Sequence, residues 1–516
     1  MSAIITDQIR LLNAKKFVAE VTSSSNSYYS FVGLPNPTNY DTNWNSAPPA
    51  PVDNFSQEND YWDTMVALKK INSEDIRQVI PKRIWTSGTT YDMYRHDYSF
   101  SNSAAVSGAT NLYSAAYYVM NSDYRVYICL RNGITPDTPL GKPSLDEPVF
   151  TDLEPRSAGA SGDGYIWKYL YTIKPSEIIK FESTDFMPVP VNWSESTENA
   201  PVRDNAVDGS IKIVTITNRG IGVGTANQTY TRVPISGDGS GAECSITIGG
   251  DSKVSNVIVS SQGSGYTYGS IDLNAGGIPS SGTSPTFNPI MTPQGGHGSD
   301  IYRELGAYNI LLYTRIENDN ENPDFIVGNQ IARVGVVENP KVTAGSILTV
   351  DKASALNAIR LTGIGYSTAL FTTDSYFIQT ISTGSTAVGR VISYNQLTGV
   401  LKYWQDRSLA GFTTAGIGIT NPTYGYQQKE FTASPDTGGS LTIVPSSGSN
   451  LAIDTSFTGI STVINNRTYY LGQSFTNGVS GPEVKKHAGN IIYVDNRPAI
   501  TRSVNQKEDI KIILQF

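Results

Sequence analysis

Short runs of β-branched and aromatic residues, separated by clusters of Gly, Ser and Asn, recur along most of this 516-residue chain. Such runs fit the pleated surface of a strand, whereas Gly, Asn and Ser fit the turns between strands. Only 16% of the residues are charged, against roughly 25% in an ordinary soluble domain. The sequence therefore predicts a multi-domain, mainly β protein with a few helices: an α+β core, β-sandwich-like in form, interrupted by two inserted β-modules.

One strand-and-turn unit occurs twice. Residues 211–222 (IKIVTITNRGIG) align without gaps with residues 254–265 (VSNVIVSSQGSG), and each copy runs from a β-branched stretch into a Gly-x-Gly turn. Two copies are too few for a solenoid, in which several repeats must stack. We therefore expect a compact β-module with duplicated hairpins.

Changes of composition along the chain predict five segments. They are 1–207, the N-terminal part of the core; 208–290, an inserted β-module that holds the repeat; 291–344, a continuation of the core; 345–481, a second inserted β-module; and 482–516, the C-terminal core strands. Insertions are tolerated where the two ends of the inserted segment lie close together.

Local patterns predict individual elements. Helices are expected at residues 6–19 and 61–80, the second ending at Pro81. Aromatic residues occupy every second position of residues 165–171, which places them on one face of a strand. That face either packs on the core or, as the alternative, forms a platform on which a sugar could stack.

The C-terminal residues alternate in the same way. An apolar side chain stands at every second position in Ile510, Ile512, Leu514 and Phe516. We predict that this whole face is buried against the core, in contrast to an ordinary terminus that frays. Residues 496–498 (NRP) are expected to form a turn between two C-terminal strands.

Charge, hydropathy and cysteine content limit the class of protein. A net charge of −8 leaves no excess of Lys and Arg for the phosphates of a nucleic acid, so we expect no nucleic-acid partner. No run approaches the ~20 apolar residues of a membrane helix, and Asp7 and Arg10 interrupt any signal peptide, so we expect a cytosolic origin and no membrane insertion. Cys129 and Cys244 lie in strand-like runs and are expected to be buried free thiols.

The sequence offers little catalytic chemistry. The three histidines, His96, His297 and His487, lie far apart in sequence, so no zinc motif exists. The Gly-rich residues 237–242 precede a strand rather than a helix, which predicts a turn and not a phosphate cradle. Residues 317–322 are acidic but lack the Gly and Glu of an EF-hand loop. We therefore predict a non-enzyme with no catalytic, cofactor-binding or metal-binding residues, and no cofactor.

Three ordered stretches carry more specific motifs. The first comprises Ala47-Pro48-Pro49, Pro51, Asp53, Tyr61-Trp62 and residues 79–85 (VIPKRIW); the second is 162–170 (GDGYIWKYL); the third is 492–500 (IYVDNRPAI) followed by 508–516 (EDIKIILQF). Together they resemble the baseplate wedge subunit of T-even-like contractile-tailed bacteriophages, the dimeric component of the wedge. The resemblance covers the core, near 1–207, 291–340 and 482–516, and does not cover the two β-modules.

The resemblance implies a structural protein of a phage virion, located in the tail baseplate wedge and assembled in the host cytoplasm. It also implies a homodimer that links other baseplate wedge proteins during assembly and contraction, and it supplies no catalytic residues. The alternative is a tail-associated adhesin whose inserted β-modules bind host-surface glycans. A glycan-cleaving enzyme ranks third, because a carboxylate pair that includes Asp163 or Asp495 would leave no visible sign in the sequence.

Overall fold

The fold is taken from a computed structural model, which describes residues 4–23, 25–35, 44–317, 330–373, 375–405, 429–445, 447–503 and 506–516. Strands account for 41% of the residues and helices for 11%. The predicted mainly β class is therefore confirmed.

The described residues form five α-helices and 27 strands. The helices are α1 Asp7–Thr22, α2 Phe55–Thr64, α3 Pro175–Phe181, α4 Ala200–Asp204 and α5 Ile301–Leu305, with 3-10 turns at Ser73–Asp75 and Leu112–Ser114. The strands up to residue 317 are β1 Tyr28–Gly33, β2 Met65–Lys70, β3 Ile76–Pro81, β4 Tyr118–Met120, β5 Arg125–Asn132, β6 Tyr165–Thr172, β7 Phe186–Pro188, β8 Ile211–Asn218, β9 Thr229–Gly237, β10 Ser240–Ile248, β11 Val254–Ser264, β12 Gly269–Ile271, β13 Thr286–Met291 and β14 Asn309–Glu317. The later strands are β15 Gln330–Glu338, β16 Lys352–Ser354, β17 Asn357–Thr362, β18 Tyr376–Ser382, β19 Ser385–Asn395, β20 Val400–Trp404, β21 Thr442–Pro445, β22 Leu451–Ile453, β23 Gly459–Ile464, β24 Arg467–Phe475, β25 Val479–Ser480, β26 Asn490–Thr501 and β27 Lys507–Gln515.

The chain forms two compact units. Unit 1 comprises Met1–Val18, Arg77–Leu311 and Ile512–Phe516, and unit 2 comprises Ala19–Ile76 and Leu312–Lys511. The chain passes between the units inside α1, β14 and β27 and at the start of β3. A four-stranded sheet has the order β27-β14-β3-β7.

The first core of unit 1 surrounds the antiparallel sheet β4-β5-β6. Tyr165, Trp167 and Tyr171 of β6 are buried, as predicted for a face packed on the core, and Tyr169 is half-buried. Tyr165 stacks on Trp167 with ring centres 5.3 Å apart. The sugar-stacking alternative is wrong for this strand because neighbouring side chains cover these rings.

The second core of unit 1 lies among β8–β13, in the sheet β11-β10-β9-β12 and the pair β13-β8. Each sequence repeat forms a strand with a Gly-x-Gly turn: β8 leads into Gly220 and Gly222, and β11 runs through Gly263 to Gly265, with all four glycines at positive φ. Only β11 forms a hairpin, with β10, whereas β8 pairs with the distant β13. The Gly-rich residues 237–242 form the hairpin turn between β9 and β10, which confirms a turn rather than a phosphate loop.

Unit 2 contains an antiparallel sheet of order β16-β2-β1-β15-β26. The predicted helix over residues 61–80 is wrong, because α2 ends at Thr64 and the chain continues as β2. The first four residues of β2 are all buried. A run that is buried on both faces suits an inner strand, whereas an amphipathic helix would bury only one face.

A second sheet of unit 2 closes on itself. Six antiparallel strands follow one another in the order β17-β20-β19-β18-β21-β22, and β22 pairs again with β17. Its interior is filled by apolar side chains, among which Phe377 stacks on Phe431 at 4.7 Å. Closure removes the free edges that an open sheet would expose.

The C-terminal predictions are partly confirmed. The last residues form β27, but only Ile512 of the four alternating apolar residues is buried, and the other three are half-buried. An edge strand is covered less completely than an inner one, so a fully buried face was the wrong expectation. The predicted turn at residues 496–498 is also wrong, because these residues lie inside β26. The register of the pairing with β15 shifts at this point of the strand.

Both cysteines are free and buried, as predicted. Burial raises the pKa of the Cys244 thiol to about 12, which makes it inert at neutral pH. Among the described residues, no helix is both long and apolar enough to cross a membrane.

Candidate interaction site

Arg333 of β15 brings the first and third sequence motifs together in unit 2. Its side chain is only 1% exposed. The guanidinium donates from Nε to Oδ1 of Asn496 (2.8 Å), and from Nη1 to the carbonyl of Asp60 (3.3 Å) and to Oγ1 of Thr64. One buried side chain therefore ties β26 to the end of α2.

Two aromatic rings lie against the same guanidinium. Its central carbon lies 5.3 Å from the ring centre of Trp44 and 4.8 Å from that of Tyr61. Burial lowers the pKa of Arg333 to about 10, so the side chain stays charged at neutral pH and is stabilised by the rings. The tyrosine of the Tyr61-Trp62 motif is thus part of an arginine-binding cage.

Residues 44–49 lie along part of β26. Trp44 Nε1 donates to the carbonyl of Arg497 (2.9 Å), Ala499 N donates to Oδ1 of Asn45 (3.1 Å), and Asn496 Nδ2 donates to the carbonyl of Pro49 (3.0 Å). The proline-rich part of the first motif therefore covers residues 496–499 of β26.

The second motif anchors a long loop in unit 1. Asp163 accepts hydrogen bonds from the amides of Tyr165 (3.0 Å) and Leu145 (2.9 Å). Gly164 has φ 84, and a Cβ there would lie 2.9 Å from the Cα of Gly133. The Asp-Gly pair forms a tight turn before β6, and Asp163 fastens the loop that precedes this strand.

The two carboxylates that could have belonged to a catalytic pair have structural partners instead. Asp163 caps the turn just described. Asp495 pairs with Arg497 at 2.6 Å on the surface of β26. Neither geometry assigns a catalytic role.

The three histidines lie in separate places. His96 accepts a hydrogen bond from Met291 N (3.2 Å), and His487 lies 3.5 Å from Asp63. His297 is buried, with Nδ1 2.5 Å from Oε1 of Glu304. Within the described ranges no group of three His, Cys, Asp or Glu side chains could hold a metal ion. Of the acidic run 317–322, residues 318–322 lie outside the described residues.

The sequence analysis missed two buried polar groups. Glu304 pairs with His297 and also accepts from Gly298 N (2.7 Å), so it holds this turn onto α5. Lys168 is 1% exposed and donates to the carbonyl of Leu153 (2.8 Å), and burial lowers its pKa. Strand alternation alone would have placed Lys168 on the solvent side.

Comparison with known proteins gives two matches. Residues 3–145 match the sequence model of the family described as Bacteriophage T4, Gp8. The baseplate wedge protein gp8 of Enterobacteria phage T4 is 26% identical over 224 residues, which covers 39% of this chain and 64% of that protein. Over these regions the chain is similar to the phage baseplate wedge proteins.

The resemblance found in the sequence motifs is thereby confirmed. The region that matches the baseplate wedge family contains the Ala-Pro-Pro stretch, Tyr61-Trp62 and the residues 79–85 of the first motif. The alignment spans somewhat less than two thirds of the length of its curated baseplate wedge relative.

Proposed function

We propose that this chain is a structural subunit of the tail baseplate of a contractile-tailed phage, and hence a virion component assembled in the host cytoplasm. The observation that carries the proposal is the match of residues 3–145 to the baseplate wedge family. The arginine cage supports it, because Arg333 links Tyr61 of the first motif to Asn496 of the third motif.

In this role the chain acts by binding neighbours rather than by catalysis. Its buried polar side chains hold loops and strands in place, as Arg333 and the motif residue Asp163 illustrate. We propose that it forms a homodimer and links other baseplate wedge proteins during assembly and contraction.

Quantitative mass spectrometry of purified baseplates tests the structural role. We expect the chain in particles of the phage that encodes it, at a fixed ratio to the other baseplate proteins and resistant to high-salt washing. Its absence from particles that contain complete tails would contradict the proposal.

Sedimentation equilibrium tests the homodimer. At micromolar concentration we expect twice the 55.8 kDa chain mass. A single species at the chain mass, both in the purified protein and in wedge complexes released from particles, would refute the dimer.

A further inference from the structure

The first half of β26 presents an open sheet edge. β26 is the outermost strand of its sheet and pairs with β15. The covering loop reaches only residues 496–499. Among the residues that the structure describes, none outside β15 hydrogen bonds to the main chain of residues 491–495. This part of β26 is called the open edge below.

The orientation of the backbone shows which groups are unpaired there. The carbonyl oxygen of Tyr493 faces β15, because it lies 2.5 Å from the position that a Cβ on Gly335 would take. Backbone groups of successive residues point to opposite sides of a strand. In the regular pairing of residues 493–496, the amide and carbonyl of Val494 therefore point away from the sheet.

Most of the open edge lacks the features that protect β7, β16 and β27. Natural edge strands are protected by charge, proline or shortness. The outer strand β27 carries four charged side chains, and the outer strands β7 and β16 have three residues each. Residues 490–494 (NIIYV) have neither charge nor proline, and Pro498 lies in the part that the loop already covers. The charged residue of the open edge, Asp495, is paired with Arg497 at 2.6 Å. Ile492 is 41% exposed.

We propose that the open edge accepts an extended segment of another baseplate chain as an added antiparallel strand. Main-chain hydrogen bonds at Val494 would supply affinity, and Ile492 would favour an uncharged, β-branched or aromatic segment. Residues 490–495 span about 20 Å at roughly 3.3 Å per residue, enough for a short added strand. This inference rests on the proposed role in the baseplate.

The Val494→Pro variant tests the added strand. Of the backbone groups that pair in the sheet, proline removes only the outward amide of Val494, so those that face β15 are retained, and edge strands tolerate such a proline. Both this variant and its control replace the Val494 side chain, which packs beside the cluster around Trp62. The control Val494→Thr keeps the amide. We expect both variants to be soluble with wild-type circular dichroism, and Val494→Pro to enter particles at least tenfold less than wild type or Val494→Thr. Incorporation of folded Val494→Pro at the wild-type level would overturn the inference.

Hydrogen exchange of the wild-type chain gives an independent test that needs no variant. The Val494 amide should exchange rapidly in the purified chain and at least 100-fold more slowly in assembled baseplates. Equal exchange rates in the two states would overturn the inference. A Val494 amide that is already protected in the purified chain would also overturn it, because the added strand would then come from a second copy of this chain. If wild-type chain were absent from particles while the purified chain still exchanged rapidly at Val494, the proposed function itself would fail.

Discussion

At the scale of single residues, Arg333 is the clearest structural determinant of the resemblance motifs. Replacing it by Ala would leave Asn496 and Thr64 without their donor and would open a space between Trp44 and Tyr61. We expect Arg333→Ala to lower the free energy of unfolding by about 2–4 kcal/mol. Arg333→Lys keeps the charge but not the forked geometry, so its free energy of unfolding should lie between those of the wild type and Arg333→Ala. Urea unfolding followed by tryptophan fluorescence measures both, and a loss below about 0.5 kcal/mol for Ala would contradict the cage.

Replacing Lys168 is expected to stabilise the protein, in contrast to replacing Arg333. Burial lowers the pKa of Lys168, so the folded chain binds this proton less well than the unfolded chain does, and the destabilisation contributed by Lys168 shrinks as pH increases towards ~10. Lys168→Met should stabilise the protein by about 1 kcal/mol or more at pH 7, since it removes a buried charge. The Leu153 carbonyl keeps a contact from Asn205 Nδ2 at 3.4 Å. Thermal unfolding of the variant and the wild type across a range of pH tests this prediction. A stability difference between them that grows with pH would refute it.

Sequence reasoning located the motif residues but not their partners. Arg333 lies outside every motif, and nothing in its neighbourhood of alternating apolar residues indicates that Trp44, Tyr61 and Asn496 converge on it. Such a cage is assembled by pairing of strands that are distant in sequence. The cage is identified only in the folded structure, where the side chain of Arg333 is polar and buried.

At the scale of elements, the repeated strand-and-turn unit depends on its glycines. A Cβ on Gly263 would lie 2.5 Å from the amide nitrogen of Ala242, and its φ is +60. Gly277 has a similar φ of +68 but no atom within 4 Å of that position. Gly277→Ala should therefore cost only backbone strain, about 1 kcal/mol, and Gly263→Ala at least about 2 kcal/mol. Equal losses in chemical denaturation would show that the close approach is unimportant.

The C-terminal strand gives a graded prediction. Ile512 is 5% exposed, whereas Ile510 is half-buried. Ile512→Ala should cost about 2–4 kcal/mol of stability, and Ile510→Ala about half as much or less. Thermal and urea unfolding of the two variants compare them directly. A larger loss at Ile510 would mean that the wrong residue has been assigned to the core contact.

The type of an element could be predicted where the apolar residues followed a clear period. The prediction failed where a strand is buried on both faces and so shows no period. The aromatic alternation of residues 165–171 correctly indicated β6, and the first helix was found within a few residues of α1. Residues 65–68 are apolar without a period, so the sequence did not distinguish a helix from a strand buried on both faces.

At the scale of the whole molecule, the division into a core and two inserted β-modules remains a prediction. Two contacts make it testable at residues 208–290: the amide of Gly295 donates to Asp208 (2.6 Å), and Ile211 pairs with Met291. The two ends of this segment are therefore adjacent, and a short Gly/Ser bridge can replace it at little cost in loop entropy. We expect the deletion variant to be soluble, with the unfolding transition of unit 2 unchanged. Loss of all soluble protein would contradict the layout.

The central claim is that this chain is a building block of the baseplate, and a cryo-electron microscopy map of the tail tests it most directly. We expect each wedge to contain density that fits unit 1 and unit 2, each docked as a separate body, with an added strand beside Val494. A complete baseplate map fully accounted for by other chains, or density for this chain confined to tail fibres, would contradict the claim.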